Sequence, residues 1–327
     1  MAAIPESELE LNRLLEAEPH ALLLNIRKAD YRLAAGDADL ACYFYRRALQ
    51  VAGDRLLPQE ETAELRRAAA ALAEVGGRTR AQREQRLTER GLPPPQWGPR
   101  LRQSLALSAS PRPASAQDPT HYFYPGLPEI EYYDPRQFDW VPAIEAATAT
   151  IREELLGLLA QGADDFRPFP QNADGMPMGV SKALQNNRDW GVLPFCEQGW
   201  LYPDTLKRCP RTWETILRHA PVPRVAGWGP SIIFSLLKAG AHIGAHTGMH
   251  NTRLICHLPL IVPPGCRFRV GNQVREWQEG KLLIFDDTIE HEAWNDSADD
   301  RVMLIFDIWR PELSEAEKRE LTFLFSD

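Results

Sequence analysis

The feature that most constrains this chain is a set of short apolar runs in its last third, each closed by Gly, Pro, Asp or a charged residue. They are "SIIFSLL" from residue 231, "RLICHLPLIV" from 253, "FRVG" from 268, "KLLIFDD" from 281 and "VMLIFDIW" from 302. Runs this short, rich in β-branched and aromatic residues and bounded by breakers, read as strands rather than helices. Many short strands with polar turns between them point to a jelly roll or barrel built from facing sheets. Before them, "VPAIEAATATIREELLGLL" predicts one amphipathic helix from Val141 to Leu159. After them, "PELSEAEKRELTFLF" predicts a closing helix with Ser314 as its N-cap and Glu317 completing a capping box.

The first part of the chain has a different texture. From Glu6 to about Glu74 it is dense in Ala, Leu, Arg and Glu, with apolar residues at helical spacing, as in Leu65, Ala69 and Leu72. Within it, small residues at Ala29, Gly36, Ala41 and Ala48, with Tyr45 beside them, resemble one tetratricopeptide-like helix pair, where small side chains let two helices approach closely. Residues 1–78 are therefore expected to form a small all-α domain, offering a surface for a protein partner. The Arg-rich stretch "RTRAQREQRLTERG" and the prolines at 93–95, 99, 111, 113 and 119 predict a linker over residues 79–120. Residues 121–327 are then the β domain. With every candidate site residue in that last part, the helices are expected to be dispensable for chemistry.

Bulk properties exclude some classes of function. A net charge of −8 and a pI near 5.6 argue against nucleic acid as the main partner, because phosphate backbones demand clustered Lys and Arg. The sequence contains no apolar run long enough for a membrane span, and its acidic start lacks the basic region of a signal peptide, so the expected compartment is the cytoplasm. Cys42, Cys196, Cys209, Cys256 and Cys266 are an odd set without CxxC spacing, which suits buried reduced thiols.

The chemistry concentrates in "AHTGMHNTRLICH", which places histidines at 246, 250 and 257 in a chain with only 8 in total. His246 falls at a strand end, where a rigid scaffold can present it. His291 follows a second apolar strand in "LLIFDDTIEHEAW", and Arg301 opens the strand after that. Two imidazoles so placed suit a divalent iron. A cosubstrate chelating that iron needs a buried cation such as Arg301 for its far carboxylate.

The segments "HTGMHNTRLICHLPL", "EWQEGKLLIFDDTIEHEAWNDS" and "DIWRPEL" resemble the aspartyl/asparaginyl β-hydroxylase family, over about Tyr122 to Leu313. The resemblance implies a double-stranded β-helix (jelly-roll, cupin-like) oxygenase domain that uses Fe(II), 2-oxoglutarate and O2. It implies His246 and His291 as iron ligands and catalytic centre, and Arg301, Ser235 and His257 as cosubstrate contacts. Some members carry a helical N-terminal region as well. The implied reaction is hydroxylation of the β-carbon of an Asp or Asn in a peptide, protein or amino acid, with Arg253 gripping a substrate carboxylate.

Two departures stand out. Where the family usually has arginine two residues before the strand histidine, this chain has Ile255, while Arg253 lies two residues earlier on the same strand face by alternation. The acid that usually completes a facial triad two residues after the first histidine is replaced by Gly248. Solvent is the expected occupant of that position. His250, Asp286, Asp287, Glu290 and Glu292 are weaker candidates. Two rival readings keep the fold: an iron and 2-oxoglutarate halogenase, with chloride opposite Gly248, and a metal-free scaffold with a degenerate oxygenase domain.

Overall fold

The computed structural model describes residues 8–53, 55–109, 115–160, 166–169 and 188–326. The helices are α1 (Glu8–Ala17), α2 (Leu22–Ala34), α3 (Ala38–Ala52), α4 (Gln59–Glu89), α5 (Pro99–Ala106), α6 (Val141–Ala146), α7 (Thr148–Leu159), α8 (Pro203–Arg208), α9 (Pro210–His219) and α10 (Glu315–Phe325). The strands are β1 (Tyr132–Tyr133), β2 (Arg167–Pro168), β3 (Trp190–Glu197), β4 (Trp200–Leu201), β5 (Ile232–Leu237), β6 (His242–His246), β7 (Arg253–Ile261), β8 (Cys266–Val270), β9 (Gln273–Glu276), β10 (Leu283–Phe285), β11 (His291–Asn295) and β12 (Arg301–Trp309).

The strands form an antiparallel sheet in the order β1-β10-β7-β12-β5-β3-β2, with β4 on β3, and a smaller antiparallel sheet in the order β6-β11-β8-β9. This is a double-stranded β-helix, and its register explains the sequence pattern. On β12, Val302, Leu304, Phe306 and Ile308 join Leu254, Cys256, Leu258, Phe234 and Leu236 in one core cluster with Ile144, Ile151, Leu155 and Ile216 of the covering helices. Each such fully buried side chain contributes roughly 1.5–3 kcal/mol. The alternate residues Met303 and Ile305 face between the sheets, where Met303 pairs with Ser235 and Pro259, and Ile305 with His257. Both faces of the central strands are covered, so they read as continuous apolar runs.

In the helical part, Ala29, Ala41, Ala48 and Tyr45 are all at no more than 1% exposure and share one core cluster, so the small residues do bring α2 and α3 together. Gly36, at φ +85°, makes the turn between them. The expected helix over 141–159 is instead two, broken at Ala147. There Thr148 Oγ1 donates to the Glu145 carbonyl at 2.6 Å, a side-chain bond that competes with helix continuation. The capping box at Ser314 and Glu317 is present.

Residues 79–120 carry more regular structure than their composition suggests. α4 runs unbroken through residue 78 to Glu89, and α5 starts at Pro99, where proline's fixed φ suits a first helical turn. Leu87, Leu92, Trp97, Leu101 and Leu105 pack with Tyr122, Tyr124, Leu313, Leu321 and Leu324 in one cluster. The prolines here therefore punctuate packed helices, while Pro111 and Pro113 lie outside the described residues. All five cysteines are buried, and none forms a disulfide among the described residues.

Candidate functional site

Antiparallel pairing of β6 and β11 places His246 directly opposite His291, with ring centroids 4.1 Å apart. Each ring is oriented by its own backbone: Nδ1 of His246 lies 2.8 Å from the Gly244 carbonyl, and Nδ1 of His291 lies 3.0 Å from the Ile289 carbonyl. A carbonyl can only accept, so both Nδ1 atoms donate, which leaves both Nε2 atoms as unprotonated lone-pair donors. Burial lowers the pKa of both imidazoles, and for His291 the neighbouring His246 lowers it further. The neutral form that binds a metal is thus the resting form.

Arg301 starts β12, is 1% exposed, and lies over the Trp277 ring at 4.9 Å. Its Nε has no hydrogen-bond partner among the described residues, which include no acid within ion-pair reach of it. Burial pulls its pKa down to about 10. An unpaired buried guanidinium is costly to keep, and a carboxylate would satisfy it. Close by, His257 is ringed by Phe268, Trp277 and Phe285, with centroids at 5.2, 5.9 and 4.8 Å. Burial, and then the charge of Arg301, hold His257 well below the usual histidine range. Ser235 is fully buried and accepts from Trp190 Nε1 at 3.3 Å, and the Trp190 ring in turn faces His246 at 6.2 Å. The fold thus gathers His246, His291, Ser235, His257 and Arg301 between the sheets.

Arg253 is on the same strand face as Ile255 and His257, as alternation predicts, but it is already engaged. Its Nη1 donates to Asp307 Oδ2 at 2.9 Å, and its Nη2 is 3.8 Å from Asp287 Oδ2. Ile255 packs with the apolar residues between the sheets. Arg253 also lines a cavity of about 200 Å³ with His250, Trp228, His121 and, from α4, Arg83 and Arg86. His250 belongs to this cavity: its ring neighbours are Trp228, Phe325 and His121.

The group that the sequence undervalued is Asp287. A Cβ built on Gly248 would fall inside the Asp287 carboxylate, with even the far oxygen, Oδ1, only 2.7 Å away. The loop before His291 therefore puts a carboxylate against the position where the ordinary triad would carry its own acid. Asp287 Oδ1 has no hydrogen-bond partner among the described residues, and burial pushes the carboxyl up to about 7 against the opposing pull of Arg253. The spacing from residue 287 to 291 did not reveal this, because only the pairing of β6 with β11 brings the two loops together. Asp286, its neighbour, is instead consumed by Arg310, Gln117 and Thr288.

A double-stranded β-helix with two facing imidazoles and a buried arginine between its sheets defines the class: a cupin-type β-fold. Residues 145–311 match the model of the aspartyl/asparaginyl beta-hydroxylase family, and the chain belongs to that family. It is 32% identical over 212 residues to the human aspartyl/asparaginyl beta-hydroxylase, covering 64% of this chain and 26% of that protein. It is 32% identical over 231 residues to the aspartate beta-hydroxylase domain-containing protein 2 of Mus musculus, covering 68% and 63%. It is 35% identical over 198 residues to the ornithine lipid ester-linked acyl 2-hydroxylase of Rhizobium tropici, covering 59% and 65%. The chain thus spans less than two thirds of each of these relatives. Among the described residues, no helix is long and apolar enough to cross a membrane.

Proposed function

We propose that the protein is an Fe(II)- and 2-oxoglutarate-dependent dioxygenase that hydroxylates an unactivated carbon, the β-carbon of an Asp or Asn in a peptide, protein or amino acid. The observation that carries this reading is the pair of facing imidazoles, each with Nδ1 fixed on a carbonyl, next to a buried arginine without an acid partner among the described residues. His246 and His291 would hold the iron through Nε2. Iron with 2-oxoglutarate and O2 would supply the oxidising power, with succinate and carbon dioxide as co-products.

The chain's own residues do the rest. Arg301 anchors the far carboxylate of 2-oxoglutarate, with Ser235 and His257 as further cosubstrate contacts. The aromatic residues around His257 exclude water, which strengthens each charged contact. Arg253, on the cavity side, grips a substrate carboxylate while Asp307 holds its other face. Asp287, beside Gly248, is the acceptor available to hold a water at the third facial position. Its side chain also fills the space opposite Gly248 that a halide would need, which speaks against the halogenase alternative. The buried Arg301 guanidinium, without an acid partner among the described residues, speaks against a degenerate scaffold, since the face of Trp277 offsets only part of its desolvation. The reading is tested by incubating the protein with Fe(II), 2-oxoglutarate and Asp- or Asn-containing peptides, free amino acids or acyl lipids. Succinate should form together with one added oxygen in an Asp- or Asn-containing substrate, and oxygenation of the acyl lipids alone overturns the substrate assignment. A protein that neither binds Fe(II) nor forms succinate with any of them defeats the proposal.

A further inference from the structure

His246 and His291 pair with each other at the very ends of β6 and β11, and each adjoins a loop, so how those loops lie against each other bears on both rings. One is residues 247–251, after His246, and the other is residues 286–290, before His291. The segment from Gln117 to Tyr122, which lies between α5 and β1, crosses both. Asp118 N donates to the Thr288 carbonyl at 2.7 Å, Thr120 N to Gly248 at 3.0 Å, and His121 N and Tyr122 N to Met249 at 3.0 Å. Gln117 pairs with Ile289, and Tyr122 with His250, as isolated bridges. The Gln117 side chain, 3% exposed, joins the two loops itself: Nε2 donates to Asp286 Oδ2 at 2.7 Å, and Oε1 accepts from Asn251 Nδ2 at 2.9 Å. Its outer end is tied to the helical part, where Tyr43 of α3 donates to Asp118 Oδ2 at 3.1 Å and Arg47 lies 3.6 Å from it.

We propose that Gln117 is a positioning residue for the histidine centre, and that the strap Gln117–Tyr122, anchored on Tyr43 through Asp118, lets the N-terminal helices set the spacing of the two histidine-bearing loops. This rests on the reading of His246 and His291 as a metal pair. The logic is that of outer-shell residues generally: a group that orients ligands without touching the metal changes affinity by about ten- to a hundredfold when removed. The Gln117 amide spans both loops beside two other ties, the Gly248 N–H bond to the Asp287 carbonyl at 2.6 Å and Arg310 Nη1, which reaches both Asp286 Oδ2 and the Asn251 carbonyl, so its loss loosens the loops relative to each other. Asp286 is further held by Arg310 and Thr288, and Asn251 by the backbone of Tyr124, so each loop stays folded without Gln117.

The experiment compares full-length parent, Gln117→Ala, Tyr43→Phe and Asp118→Asn with Tyr45→Phe as control. Tyr45 donates to Asp30 within the helices and does not touch the strap. Cobalt(II) serves as the probe, read by its ligand-field absorption and by titration, alongside amide exchange of the metal-free proteins. Gln117→Ala should weaken cobalt affinity by about tenfold or more, alter the absorption bands, and speed exchange at Gly248, Asp118, Thr120, His121 and Tyr122. Tyr43→Phe and Asp118→Asn should act in the same direction but less. Tyr45→Phe should change none of these. The proposal is overturned if the strap variants only lower melting temperature with spectrum and affinity intact, or if Tyr45→Phe changes the spectrum equally. Should Gln117→Ala fail to fold, the two anchor variants decide alone. A parent protein that binds no cobalt refutes the metal reading itself, which is a distinguishable failure.

Discussion

Gly248→Ala is the substitution through which the site can be probed most sharply, because the structure states what the new methyl would meet. The Cβ falls inside the Asp287 carboxylate, and Oδ1 at 2.7 Å is well short of ordinary contact, 3.4–4 Å. The backbone cannot retreat easily: Gly248 N donates to the Asp287 carbonyl at 2.6 Å, and Thr120 N to the Gly248 carbonyl at 3.0 Å. Asp287 must therefore swing away. Overpacking of this kind costs about 1–3 kcal/mol, and moving a group that supports the metal ligands should weaken metal binding by about ten- to a hundredfold. Urea unfolding of the metal-free protein measures the first quantity and cobalt titration the second. The clash is tested by a double-mutant cycle: in an Asp287→Ala background the stability cost of Gly248→Ala should largely disappear, leaving a coupling energy of about 1 kcal/mol or more. Gly248→Asp should be worse than Gly248→Ala instead of restoring a triad, since two carboxylates cannot both ionise in one space. Additive effects within about 0.5 kcal/mol, or a Gly248→Ala protein with full stability and metal affinity, would refute the reasoning.

Arg301→Ala should raise the dissociation constant of 2-oxoglutarate by an amount equivalent to about 2–5 kcal/mol, because a buried charge loses its partner; calorimetry showing unchanged affinity contradicts that role. The metal-free protein should lose stability as pH falls below the usual histidine value of 6.5. His121, His246, His250, His257 and His291 all have lowered folded-state pKa values, chiefly through burial, so the unfolded chain binds more protons there. The buried carboxyls Asp287, Asp307 and Glu320 are raised and act in the opposite sense, but they are fewer. Urea midpoints that stay constant or rise between pH 7.5 and 5.5, pH values chosen as roughly bracketing that range, contradict this. A chain starting at Ser115 should expose Tyr122, Tyr124, Leu321 and Leu324, which Leu87, Leu101 and Leu105 cover. It should therefore bind an apolar dye and unfold without cooperativity, whereas a soluble, cooperatively folding fragment would show the helices to be separable.

The β-fold was legible because its determinants are local: short apolar runs from strands covered on both faces, with breakers between them. The placement of the site residues was legible through their strand contexts, with His246 ending β6, His291 opening β11 and Arg301 opening β12. Asp287 was not, because its role depends on a contact between two loops, 247–251 and 286–290, that no sequence spacing encodes. The same holds for Arg253, whose position on the strand face followed from alternation while its partner Asp307 came from the neighbouring strand. The region 79–120 misled for a different reason: proline at a first helical turn and proline in a linker look alike until the apolar partners of Leu87, Leu101 and Leu105 are known.

The most direct test of the central claim is to follow oxygen and carbon together in one reaction. Parent, His246→Ala and His291→Ala proteins are incubated with Fe(II), 2-oxoglutarate, O2, chloride and the Asp- and Asn-containing substrates, and succinate and substrate mass are measured in the same samples. The account predicts equimolar succinate and singly oxygenated substrate from the parent and neither from the two histidine variants. A chlorinated product from the parent, or undiminished turnover in His291→Ala, would contradict it.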